Sequence, residues 1–102
     1  MLNLQKEVKV FCESQNLECS IEYRLLDLVS ELGEVAKEIL KATQYGKKSF
    51  VIDSGLVEEM GDLGFCLLSF ANEASVDIEV ATRASLEKYK KRIALKGHAG
   101  SC

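Results

Sequence analysis

The stretch Ile21–Ala42, IEYRLLDLVSELGEVAKEILKA, decides the fold class. Ile21, Leu25, Leu28, Leu32, Val35 and Ile39 recur at intervals of three and four, which places them along one side of an α-helix. Ser20 stands ahead of them as an N-cap, with Tyr23 where a capping box would carry Glu or Gln. At about 1.5 Å rise per residue, this helix is on the order of 33 Å long.

Working outward, Leu4, Val8 and Phe11, with Leu2 and Val10 nearby, predict a first helix ending around Gln15 or Asn16. Residues 43–54 lose the period and include Gly46, Lys47, Lys48 and Ser49, so they read as a loop. A third helix is predicted from Ser54 or Gly55 to Ala74, apolar over most of its circumference. Asp77 then caps a fourth helix reaching Ile93 or Ala94, with Val80, Ala84, Leu86 and Tyr89 turned inward. The expectation is a single all-α domain over residues 1–96, a four-helix bundle, followed by a flexible tail at 97–102. An all-round apolar third helix also predicts that another copy of the chain covers part of it, giving a homodimer or larger assembly.

Composition agrees with this class and narrows the partners. The 102 residues suit one hydrophobic core. The chain has no proline and only seven glycines, too few for the many tight turns of an all-β protein. A net charge of −3 argues against binding polymeric nucleic acid, which calls for a basic surplus. A small anionic ligand remains compatible, because a divalent cation can supply the missing positive charge. No apolar run approaches the ~20 residues that span a bilayer. The start of the chain, with Asn3, Gln5, Lys6 and Glu7, lacks the layout of a secretory signal, so a cytoplasmic location is expected. Cys12, Cys19, Cys66 and Cys102 form no Cys-x-x-Cys pair, and His98 lies in a glycine-rich tail. The thiols therefore read as small, partly buried side chains rather than as a zinc site.

The chemistry lies in the acidic residues. On the third helix, Glu59 falls on the same side as Leu56, Leu63, Cys66 and Phe70, with Asp62 at that face's edge. A carboxylate within an apolar stripe is costly unless it is paired or holds a metal. On the second helix, Asp27, Glu31, Glu34 and Glu38 project within about 60° of one another. Like charges so spaced repel, and Lys37 and Lys41 relieve only part of this. If the two helices face each other, Glu31, Glu34, Glu59 and Asp62 converge, and an all-oxygen set suits Mg²⁺ or Mn²⁺. A solvated acidic face accounts equally for Glu31 and Glu34 taken alone. The residues by themselves leave both readings open.

Other constellations fail. A ferritin-like site needs Glu-x-x-His pairs, and no predicted helix carries a histidine. The segment Gly46-Lys47-Lys48-Ser49 resembles a phosphate loop, but position 41 is Lys where Gly is needed and no strand precedes it. No calcium-loop pattern and no Ser/His/Asp or Cys/His set can be assembled. Lys88 and Arg92, four apart on the fourth helix and joined by Lys91, could grip phosphate oxygens or simply complement the helix C-terminus. Asn72 could bind ligand or end the third helix. Tyr23, Tyr45, Phe50, Phe65 and Tyr89 could stack on a base or fill the core.

These motifs together resemble the MazG-like all-α NTP pyrophosphatase family. Its mark is Glu-x-x-Glu, a spacer, then Glu-x-x-Asp, here Glu31-Leu32-Gly33-Glu34 and Glu59-Met60-Gly61-Asp62. Leu-Asp-Leu-Val precedes the first motif and Val-Ala-Lys-Glu-Ile-Leu follows it. The run from Val76 through Lys88, Tyr89 and Arg92 is similar to the family's last helix, so the likeness covers roughly residues 20–93. Two positions depart from the family pattern, Ser30 where a second glutamate is frequent and Ser85 where a lysine is. The resemblance implies a dimeric or tetrameric bundle that converts a (d)NTP to (d)NMP and pyrophosphate, with Mg²⁺ on the four motif acids and phosphates met by Lys88 and Arg92. In that scheme Glu34 or Glu38 holds or deprotonates the attacking water. The competing expectation is a non-catalytic helical interaction or nucleotide-sensing module.

Overall fold

The computed structural model describes residues 3–98 and Gly100. Four helices follow in order, α1 (Asn3–Ser14), α2 (Ile21–Ala42), α3 (Ser54–Glu73) and α4 (Ile78–Lys96), with no strand among the described residues. The chain is all-α, as its periodicity predicts. The helix limits fall close to those read from the pattern. Of the tail expected at 97–102, residues 99, 101 and 102 lie outside the described residues, as does Leu2 of the first apolar set.

Capping fixes where two of the helices begin. Asp53 accepts from the Leu56 amide at 3.0 Å and opens α3, while Asp77 accepts from the Glu79 and Val80 amides at 3.1 and 3.2 Å and opens α4. Each such cap stabilises its helix by about 1 kcal/mol. Ser20 does precede α2 with an extended backbone, but its side chain makes no capping hydrogen bond. The cap expected there is positional only. Non-glycine residues with left-handed backbones stand just beyond three helix ends, at Asn16, at Gln44 and Tyr45, and at Ser75.

α2 lies along α3, and α1 packs on another side of α3. Asp27 meets Cys66 while Glu38 meets Gly55, so α2 and α3 run antiparallel. Val8 and Cys12 of α1 and Leu68 of α3 form a small core, flanked by Phe65 and Ile78. Phe11 and Phe65 meet edge-to-face at 6.1 Å.

Gln5, which the sequence presents as an ordinary polar residue near the chain start, is fully buried at 0% exposure. Its amide nitrogen donates to Asn72 Oδ1 at 3.0 Å and to the Val76 carbonyl at 2.8 Å, and its Oε1 accepts from the Ile78 amide at 3.1 Å. Asn72 Nδ2 returns a bond to the Gln5 carbonyl at 3.2 Å. A buried amide so fully satisfied ties α1 to the α3–α4 turn. Arg24, also buried, donates to the Leu17 carbonyl and fastens the α1–α2 connection.

α4 differs from the expectation that Val80, Ala84, Leu86 and Tyr89 face a core. None of its residues is buried, with Val80 at 63% and Leu86 at 50% exposure. It is held at its first turn by Gln5 and Ile78, and it lies along none of the other three helices. No helix among the described residues is long and apolar enough to cross a membrane.

Candidate metal centre

The antiparallel seam between α2 and α3 collects the acidic residues. α2 points Arg24, Asp27, Leu28, Glu31, Val35 and Glu38 toward α3, since all lie within one sector of the helix at ~100° per residue. Gly55, Glu59, Asp62, Leu63 and Cys66 form the answering face of α3. Glu31, Glu59 and Asp62 offer carboxylate oxygens that all lie within 4.8 Å of one another. Glu31 and Glu59 are half-buried and Asp62 is exposed.

Electrostatics mark the same group. Partial burial raises the Glu59 carboxyl above its ordinary 4.5, and Asp62, Glu34, Glu31 and Glu38 add to the rise. Burial likewise raises Glu31, followed by the charges of Asp62, Asp27 and Glu34. Glu34 is exposed and stands outside the tight trio, yet its charge acts on both Glu31 and Glu59. Glu38 is half-buried, with its Oε1 3.3 Å from Lys41 Nζ. Among the described residues, no lysine or arginine pairs with Glu31, Glu34, Glu59 or Asp62. Converging carboxylates with no cation among them fit a hard divalent ion such as Mg²⁺ or Mn²⁺, for which oxygen is the preferred donor.

A second grouping, less evident from sequence, adjoins the trio. Asp27, Glu31 and Cys66 also bring their ligand atoms within 4.8 Å of one another. Cys66 Sγ donates to Asp27 Oδ2 at 3.4 Å. Burial, reinforced by that hydrogen bond, pushes the thiol up to about 12, so Cys66 stays protonated at neutral pH. Its place is signalled in the sequence only by its spacing of seven from Glu59, two helical turns along the same face.

The other expected site residues lie elsewhere. Lys88 Nζ and the Arg92 guanidinium sit over the Tyr89 ring at 4.8 and 5.7 Å, which gathers two cations on one side of α4. Lys88, Lys91 and Arg92 border an open groove along α4 with Ala84 and Leu95. None of the three pairs with a motif carboxylate. Asn72 spends both ends of its amide on Gln5, ten residues and about 15 Å of helix beyond Asp62. Of the aromatics, Phe65 flanks the α1–α3 core and Tyr89 carries the α4 cations, while Tyr23, Tyr45 and Phe50 are exposed.

Residues 20–94 match the family model for the MazG nucleotide pyrophosphohydrolase domain. The chain is also 35% identical over 68 residues to YpjD, an uncharacterized protein of Bacillus subtilis (strain 168), across 64% of this chain and 60% of that protein. It therefore spans less than two thirds of the relative's length. No solved structure matches. With three quarters of its length matched, both acidic pairs included, this chain belongs to the MazG nucleotide pyrophosphohydrolase domain family.

Proposed function

We propose that this chain is an Mg²⁺-dependent nucleoside triphosphate pyrophosphohydrolase that converts a (d)NTP to (d)NMP and pyrophosphate, cleansing the nucleotide pool of the cytoplasm. The observation that carries the reading is the meeting of Glu31, Glu59 and Asp62 within 4.8 Å, without a pairing cation among the described residues, in a chain of this family. Glu31, Glu34, Glu59 and Asp62 would hold the ion. When bound, Mg²⁺ or Mn²⁺ would offset charge on the phosphate oxygens and orient the triphosphate.

The chain's own groups do the rest. Glu34 or Glu38 takes a proton from water as the water oxygen bonds to phosphorus. The α–β bridging P–O bond breaks, and its electron pair leaves with the departing phosphate oxygen. Lys88 and Arg92, with Lys91 beside them, steady the negative charge that develops. Because α4 lies along none of the helices that carry the acids, we assign these cations to the site of a neighbouring copy in a homodimer or homotetramer.

Pyrophosphate release from canonical and modified (d)NTPs, measured with and without Mg²⁺, tests the proposal. Release is expected only with the metal, and Asp62→Asn should cost roughly 10²–10⁴-fold in rate while leaving the helical circular dichroism unchanged. Nucleotide binding without release would mark a sensing module instead. Neither binding nor release would mark an interaction module.

A further inference from the structure

Gly55 occupies the second position of α3, one turn ahead of Glu59 on the side that faces α2. Its backbone is helical, so no unusual dihedral requires glycine there. Glycine within a helix is instead a liability relative to alanine. The reason for it is space. A Cβ at Gly55 would lie 2.7 Å from Glu38 Oε2, 3.2 Å from Glu38 Cδ and 3.3 Å from Asp53 Oδ1. The other helical glycines, Gly33, Gly61 and Gly64, would meet nothing within 4 Å.

Glu38 is divided between two neighbours. Its Oε1 faces Lys41 Nζ at 3.3 Å, and its Oε2 lies over Gly55 at the start of α3. Partial positive charge at a helix N-terminus favours a carboxylate there. The Glu38 charge also reaches Glu59, whose carboxyl it helps to raise. Any side chain at position 55 would turn the Glu38 carboxylate away from this seat, because the far end of Glu38 is the part free to move.

We propose that Gly55 is a positioning residue: by presenting no side chain it seats the Glu38 carboxylate against the first turn of α3, one turn ahead of Glu59, where Glu38 accepts the proton of the attacking water. The inference rests on the pyrophosphohydrolase reading, and it selects Glu38 over Glu34 as the base. In the step, the water oxygen bonds to phosphorus, its proton passes to Glu38, and the bridging P–O electron pair departs with the leaving phosphate.

The test compares Gly55→Ala, Glu38→Gln and the double variant. Gly55→Ala should keep its helicity and thermal midpoint, since alanine is the better helix former. Its kcat should fall at least about tenfold with KM within about threefold, the pattern of a lost proton-transfer geometry rather than lost binding. The double variant should be no slower than Glu38→Gln alone. The carboxyl ¹³C signal of Glu38 in the metal-free protein should shift in Gly55→Ala while that of Glu22 stays in place. Wild-type kcat in Gly55→Ala, a loss equally large in the Glu38→Gln background, or a lowered midpoint would each overturn the proposal. A wild-type chain that releases no pyrophosphate would end the catalytic reading. An unmoved Glu38 signal would separately refute the seating.

Discussion

Glu59 and Glu31 hold their charge at the expense of the folded chain. Burial first, and then neighbouring carboxylates, raises both above 4.5. A raised carboxyl keeps its proton in the folded state at a pH where the unfolded chain has released it. Stability therefore falls as pH climbs from 4.5 through the raised value, and it stays lower above that. Glu59→Gln should accordingly raise the thermal midpoint of the metal-free protein at neutral pH, with the gain shrinking as pH drops through the raised value toward 4.5. The same variant should lose on the order of 10²-fold or more in Mg²⁺-dependent pyrophosphate release. Scanning calorimetry across pH and a release assay check the two halves. Glu59 was legible from the sequence because a charge inside an apolar stripe stands out. The Asp27–Cys66 bond and the contact of Glu38 with Gly55 were not, since each depends on which residue of one helix falls opposite which residue of another.

At the scale of the elements, α2 shows what spacing settles and what it leaves open. Of its six periodic apolar residues, Leu28 and Val35 are half-buried toward α3, whereas Ile21, Leu25, Leu32 and Ile39 are exposed on an adjoining face. Periodicity identifies a helix, but two apolar sectors side by side look like one broad stripe. The same limit applies to Gln5, because no local pattern announces that an amide will meet a turn about seventy residues away. Gln5→Leu removes its bonds to Asn72, Val76 and Ile78. Leaving such groups unsatisfied costs about 2–3 kcal/mol, so the midpoint in urea should fall while kcat at low temperature is kept. Asn72→Ala should behave alike, with an unchanged KM, if its amide serves the fold as its two bonds to Gln5 indicate.

The whole molecule is more open than a closed domain of this length. Its radius of gyration is 16.7 Å, over extents of 44 × 40 × 23 Å, where a closed domain of 100 residues measures about 13 Å. Besides the outer face of α2, Val57, Met60 and Leu67 of α3 and Val80, Leu86 and Ile93 of α4 are exposed. Apolar surface on this scale is typical of chains that associate. Sedimentation should find a dimer or tetramer, and Leu32→Glu, placed in the outer face of α2, should shift it toward the monomer. That the chain is all-α was readable from residues 21–42. Against the expectation of an inward face, Val80, Ala84, Leu86 and Tyr89 of α4 spread round the helix rather than sharing one side, so the helix has no interior of its own.

α4 is kept helical by local devices, chiefly the Asp77 cap and the pairs Arg83–Glu79 and Lys90–Glu87. Exposed pairs of this kind add only a few tenths of a kcal/mol each. If the α4 cations serve a neighbouring copy, turnover per chain is not a fixed number. It should decline on dilution and return on concentrating the sample, so that the enzyme's output follows its own abundance more steeply than in proportion.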